Sequence, residues 1–514
     1  MEDSQTKSKR IFKNTLYMYA RMFVMMVISL FTARVVFNTL GVNDYGTYNV
    51  VGSIIVFFSF LNNGLSTATK RYITAEIGKG TVDTGRHVFN TCIVAHLFIS
   101  LIVFVLAETV GLWGVNYILN IPEDRIFAAN VVYQFSVFST VLGIMQSPFG
   151  SAIVAYERMN IFAYFTIFDA VNKLLIIYLI QVLPGDKLID YGALLFVVSV
   201  VGMLIYRIYC YRNFEICKWK RPKDKPLLKQ IFSFTSWSLL GQAAVVGTNQ
   251  GVTVLVNYFF NVAVNAAMGV SSSIIGIING FVSNFQAAFD PQIVKSYVTK
   301  DYAYLENLIL RCSKISSFLM MIFLVPVYFE IDKVLYLWLG KYPQYSVEFC
   351  RWTLVCIYLE ALSAPLWMLV YAQTKIKRYQ VVLSSVYGMN FVLGWIFLLT
   401  GLFPPYVVIQ IRAFIFCILL FIRLYYAKYF FPYLQVKKWM TKVFLEPIAI
   451  FAVSFVLIYV LIDILPISNR FLHIITITGA SLLIVIPSFF FFVFEREERR
   501  FVVKKVVSRF TKTK

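Results

Sequence analysis

Apolar residues run along this chain in long blocks separated by short polar stretches. Blocks of about 20 residues have the length of a helix that crosses the hydrocarbon core of a bilayer. Fourteen such helices are predicted, at about 11–37, 45–69, 88–112, 127–155, 161–183, 189–211, 232–257, 265–290, 308–329, 348–372, 380–402, 406–427, 443–463 and 471–494. The connections are short and leave no room for a soluble domain. The pattern therefore predicts an all-α, polytopic membrane protein.

Composition agrees with the pattern. Of 514 residues, 59% are hydrophobic and only 14% are charged, against a usual quarter. The net charge of +21 could by itself suggest nucleic acid. The distribution of the positives argues for topology instead. Of 47 Lys and Arg, 35 fall on one set of loops and tails and six on the other (Arg125, Lys187, Lys333, Lys341, Arg351, Arg470). Such a bias puts the basic side, with both termini, in the cytoplasm and requires an even number of spans. The start, MEDSQTKSKR, is polar and leads directly into a span, so no removable signal is expected. The basic stretch CKWKRPKDKPLLK (217–229) reads as a linker between halves. The tail EREERRFVVKKVVSRFTKTK reads either as a solvated stop or as a helix lying on anionic lipid.

The first six spans can be laid over the next six with a constant offset of 220 residues. RIFKNT then meets QIFSFT, and Ile54, Ile73 and Cys92 meet Ile274, Ile293 and Cys312. Six spans per unit is even, so the repeats are parallel, related by an axis along the membrane normal. The expected organisation is a bundle over 1–216, a linker over 217–231, a second bundle over 232–430, and two further spans with a basic tail over 431–514. A cavity between the bundles, exposed to each side in turn by rocking, is the expected device.

Catalytic chemistry finds little support. His87, His96 and His473 form no cluster, the seven cysteines are scattered without CxxC spacing, and no phosphate-cradling glycine loop occurs. No enzyme activity, metal or cofactor is expected. A membrane-embedded polymerase or glycosyltransferase would need a larger outer loop than 330–347.

Several stretches carry a family resemblance: LGVNDYGTYNVVGSI (40–54), NNGLSTATKRYITAEIGKG (62–80), the run 233–274 beginning SFTSWSLLGQAAVVGTNQG, NFQAAFDPQIVKSY (284–297) and LYLWLGKYPQ (335–344). From about residue 10 to 430 the chain resembles the Wzx-type polysaccharide and O-antigen flippases of the MATE-like multidrug/oligosaccharidyl-lipid/polysaccharide exporter superfamily. The resemblance implies a V-shaped transporter of two helix bundles in a bacterial inner membrane. Its cargo would be an isoprenoid-pyrophosphate-linked oligosaccharide, moved from the cytoplasmic to the periplasmic leaflet for lipopolysaccharide or other surface polysaccharide. Transport would be coupled to H+ or Na+. A drug-efflux transporter of the same superfamily is the nearest alternative.

Ionisable side chains inside spans are the candidates for that work, since each costs about 2.5–3.5 kcal/mol at mid-helix. Asp169 and Lys173 stand one turn apart in YFTIFDAVNKLLIIYLI (164–180). The spacing allows a self-neutralising packing pair or a pair lining a cavity. Arg21, Arg34 and Arg412 lie at moderate depth, and Glu360 lies near mid-depth, just before Ala364-Pro365. Lys173, Arg21, Arg34 and Arg412 are the expected pyrophosphate contacts, Asn249 and Gln250 the expected sugar contacts, and Asp169 and Glu360 the expected ion-coupling acids. Arg207, Arg423, Glu108, Glu446 and Asp463 are expected near helix ends, within reach of the interface.

Overall fold

A computed structural model describes residues 4–58, 60–79, 82–220, 225–287, 289–372, 377–464, 469–496 and 498–500. Among them there is no strand. The helices are α1 (Ser4–Phe58), α2 (Phe60–Lys79), α3 (Val82–Leu106), α4 (Leu112–Tyr117), α5 (Ile126–Ala155), α6 (Met159–Val182), α7 (Lys187–Asn213), α8 (Lys225–Phe259) and α9 (Val262–Ala287). They continue with α10 (Asp290–Val298), α11 (Tyr302–Leu339), α12 (Ser346–Tyr371), α13 (Lys377–Leu399), α14 (Val407–Phe430), α15 (Val436–Trp439), α16 (Glu446–Ile464) and α17 (Arg470–Ser488). Wider i→i+5 turns at Ala107–Gly111 and Met440–Leu445 join α3 to α4 and α15 to α16.

Among the described residues, twelve helices are long and apolar enough to cross a membrane. One of the twelve, Phe23–Phe58, overlaps two of the expected spans. Gly41 divides it, with φ 76° and ψ 177°, a backbone region that essentially only glycine enters. The apolar surface faces outward, as lipid requires. On α3 and α4, Leu97, Leu101, Val105 and Trp113 recur at four-residue multiples, and all are exposed. The seven free cysteines are buried or, for Cys417, half-buried.

The offset of 220 seen in the sequence reappears in the helix boundaries. Val82, Ile126 and Lys187 begin α3, α5 and α7, and Tyr302, Ser346 and Val407 begin α11, α12 and α14. The turn between α8 and α9 falls 220 residues after the Gly41 break. Contacts divide the chain differently. One compact unit comprises 1–273 with 387–405, and the other 274–386 with 406–514.

Within the first unit, α5 packs on α7, and α1 on α6 and α8. Cys92, Ala95, Ile99 and Tyr133 lie in its fully or nearly buried core. Gly46 permits the closest approach: a Cβ there would sit 1.9 Å from the Val262 carbonyl oxygen. Within the second unit, α12 packs on α11 and α14, and α17 on α11.

The topology reading makes a direct prediction. Single cysteines at Lys187 and Lys341 are expected to react with an impermeant maleimide from outside the cell, and one at Arg221 only after permeabilisation. Arg221 lies outside the described residues. Its labelling in intact cells would reverse the orientation.

Candidate functional site

The expected pair forms. Lys173 Nζ lies 2.7 Å from Asp169 Oδ2, in the middle of α6, with side-chain exposures of 47% and 42%. The polar neighbours Thr166 and Asn172 turn back on their own helix, donating to the Phe162 and Phe168 carbonyls. Position around the helix distinguishes this exposure from ordinary lipid contact. At about 100° per residue, the exposed apolar side chains Tyr164, Val171, Leu175 and Val182 share one face of α6. Lys173 falls on nearly the opposite side. Ala163, Ala170 and Ile177 fill the buried face between, and Ile176 and Ile180, further along on the lysine's own side, are buried too. The ion pair is therefore a local exposed patch on the side of α6 away from its apolar stripe.

Other expected contacts are more dispersed. Arg34 is exposed on α1. The side chain of Arg21 lies outside the described residues. Asn249 is exposed and Gln250 half-buried on α8, while Asn257 is fully buried and holds the backbone of Asn120 through bonds of 2.6 and 3.3 Å. Gln286 likewise serves packing, donating to Ser316 Oγ and to the Ala361 carbonyl.

The second unit gathers a charged cluster of its own. Glu360 on α12 takes both arms of Arg423 on α14, each at 3.0 Å. Arg423 also donates to Ser363. It is 4% exposed and Glu360 34%. This corrects the expectation that Arg423 snorkels to the interface: its guanidinium turns inward, where a carboxylate one helix away supplies bidentate bonds. Arg412 and Glu360 are both within electrostatic reach of Cys356, and Tyr371 and Tyr379 within reach of Arg423. Glu360 thus sits among cations and tyrosines, beside the Ala364-Pro365 step. The structure also corrects Glu108, which lies inside the continuous helical run from Val82 to Tyr117 and accepts a bond from Gln134 at 3.0 Å. Arg207 is exposed as expected, its guanidinium 5.6 Å from the Tyr211 ring.

Two buried charges and one half-buried charge escaped sequence reasoning. Lys314 on α11 is 1% exposed and lies 2.6 Å from Glu498. Glu330, near the other end of α11, is equally buried and accepts from His473 on α17 at 3.0 Å. Arg125 joins α1 to the cap of α7, bonding Asp44 at 2.5 and 2.7 Å and Asp186 at 2.6 and 3.1 Å. Asp186 also caps α7 through the Leu188 and Ile189 amides. Burial works to raise its carboxyl, but Arg125 and the helix amides outweigh burial and hold it below the usual range. Among the described residues, no group of three His, Cys, Asp or Glu side chains is placed to hold a metal.

Long apolar helices with charged groups set inside them define a class, the polytopic all-α membrane proteins. Residues 18–179 match the MatE family model. The fold resembles that of the lipid II flippase MurJ in an inward closed conformation, with a TM-score of 0.68 at 12% identity, over 92% of this chain and 98% of that one. An inward-facing multidrug resistance MATE family transporter of the MOP superfamily gives 0.67 at 12% identity, over 80% and 96%. A superfamily transporter from Pyrococcus furiosus, described for the reversed polarity of its binding pocket, gives 0.58 at 12%, over 82% and 94%. No curated protein matches the sequence.

Proposed function

We propose that this protein is a flippase that carries an isoprenoid-pyrophosphate-linked oligosaccharide from the cytoplasmic to the periplasmic leaflet of a bacterial inner membrane, for O-antigen or other surface polysaccharide. Both termini are cytoplasmic in this reading. The observation that carries it is the ion pair on the face of α6 that turns away from the apolar stripe. A half-exposed cation in the middle of a spanning helix is the group that a pyrophosphate needs while it leaves one leaflet for the other. The two repeats, 1–216 and 232–430, would rock to expose it to each side in turn.

The division of labour follows. Lys173, with Arg21, Arg34 and Arg412, meets the phosphates, and Asn249 and Gln250 meet the sugars. Asp169 and Glu360 take up the coupling H+ or Na+. Likeness to a lipid II flippase over 92% of the chain, against 80% for a multidrug transporter, supports this reading. Drug efflux is the second reading, favoured by the carboxylates Asp169 and Glu360, which would serve a cationic cargo.

Deleting the gene separates the two. Loss of surface polysaccharide, with lipid-linked repeat units accumulating in the inner leaflet, is expected. Normal polysaccharide with increased sensitivity to cationic dyes would establish efflux instead.

A further inference from the structure

The loop between α14 and α15 encloses a cleft of about 590 Å³, which no part of the transport reading uses. Lys428, Gln435, Lys437, Lys438, Thr441 and Lys442 line it. Its place in the fold is set by its two helices. One apolar helix ends at Phe430 and the next begins at Val436, so the cleft lies where hydrocarbon gives way to water. Tyr425, Tyr429 and Tyr433 are all about two-thirds exposed beside it, in the manner of an interfacial aromatic belt.

The four lysines are not all neutralised. Lys438 pairs with Glu495 at 3.0 Å and Lys442 with Glu446 at 2.7 Å. Lys428 bonds only to backbone carbonyls, those of Pro432 and Leu434, which leave its charge in place. Lys437 is exposed. Glu306 also reaches the cleft, accepting from the Gln435 amide at 3.2 Å, and three carboxylates against four ammonium groups leave it cationic. Glu495 is itself affected: burial works to raise it, but Lys438, Lys314 and Lys442 together hold it below its ordinary value.

A second hollow, of about 480 Å³, adjoins the first along α14 and is almost wholly apolar. Ile418, Phe421 and Tyr425 line it, with Val382 from α13. Spacings of three and four residues put Ile418, Phe421, Tyr425 and Lys428 on one face of α14. Along that face, Tyr425 of the apolar hollow stands one turn before Lys428 of the cationic cleft. A free anion would use only the second, and an apolar peptide only the first. A molecule with an anionic head joined to acyl chains fills both.

We propose that this groove is a binding site for an anionic glycerophospholipid of the leaflet on the basic side. The headgroup phosphate sits among Lys428, Lys437 and Lys442, and an acyl chain lies along Ile418, Phe421 and Tyr425. The site is separate from the proposed path of the cargo and stands whether the cargo is a sugar lipid or a drug.

Native mass spectrometry of the purified full-length protein, titrated with two-chain phosphatidylglycerol or phosphatidylcholine, tests it. Phosphatidylglycerol is expected to bind the tighter. Lys437→Gln should weaken it about fivefold, and Lys437→Glu about twentyfold, with little change for phosphatidylcholine. Lys437 is exposed, so neither change should disturb folding, and an unaltered melting temperature would verify this. Tyr425→Ser should weaken phosphatidylglycerol without altering any binding of inorganic phosphate. Equal affinity for the two lipids, or unchanged phosphatidylglycerol binding in Lys437→Glu, overturns the proposal. Full displacement of the lipid by millimolar inorganic phosphate would also overturn it, making the cleft a site for a free anion.

Discussion

Replacing Lys173 with alanine is expected to bring transport close to background while the protein still reaches the membrane. Losing one partner of a charge contact costs roughly 2–5 kcal/mol when it is desolvated. The pair here is about half exposed, so the lower end applies, a loss of about 30-fold in cargo affinity. Lys173→Arg should keep part of the activity, because the charge remains. The mechanism behind the prediction is competition. The empty protein balances Lys173 with Asp169, and an arriving pyrophosphate takes the lysine and frees the aspartate for a proton or sodium ion. Cargo and ion are then coupled through one shared partner. The exchange of Asp169→Lys with Lys173→Asp keeps an ion pair but moves the cation by a turn. Transport assayed in cells should fail in the exchanged protein, and normal transport there would reduce the pair to a packing device.

The largest effect on stability is expected at Glu360. Arg423 is almost wholly buried, and Glu360 is the carboxylate that compensates it. Glu360→Ala leaves that guanidinium without its counter-ion in a region of low dielectric, at a cost of about 3–5 kcal/mol. Arg423→Ala should cost less, because the glutamate left behind is one-third exposed and can be hydrated. Glu360→Ala with Arg423→Leu should recover much of the loss, since an apolar replacement of a buried pair is often neutral. Thermal unfolding in detergent gives the order of the variants. A Glu360→Ala protein as stable as the parent would mean that Ser363 and water suffice for Arg423. Glu360→Gln can accept from only one arm of Arg423 and lacks the counter-charge, so its stability should fall between those of Glu360→Ala and the parent.

Much of the architecture was legible because a bilayer leaves the chain few options. Length and hydropathy locate helices, and the offset of 220 visible in RIFKNT and QIFSFT recurs in the starts of α11, α12 and α14. The i,i+4 relation of Asp169 and Lys173 is local, so the sequence alone predicts their contact. Pairings across distant segments were not legible. Nothing near Lys314 announces Glu498, and nothing near Glu330 announces His473. Arg423 was misread for the same reason: depth along a helix was estimated, but the direction of its side chain is set by α12. The break at Gly41 falls in the connection expected between 37 and 45, so hydropathy located it, although hydropathy does not record the backbone angle that makes it.

The two buried charges on α11 have a consequence for the chain's history. Lys314 and Glu330 stand near opposite ends of that helix, and each is answered from the last part of the sequence, by Glu498 and by His473. Such pairings make the final helices hard to discard. A chain ending after α14 would leave Lys314 without Glu495 and Glu498, while Glu330 would keep Lys333, 3.4 Å away on its own helix. Lys314 is therefore the residue that ties α11 to the end of the chain, and engineered truncations need it made apolar first.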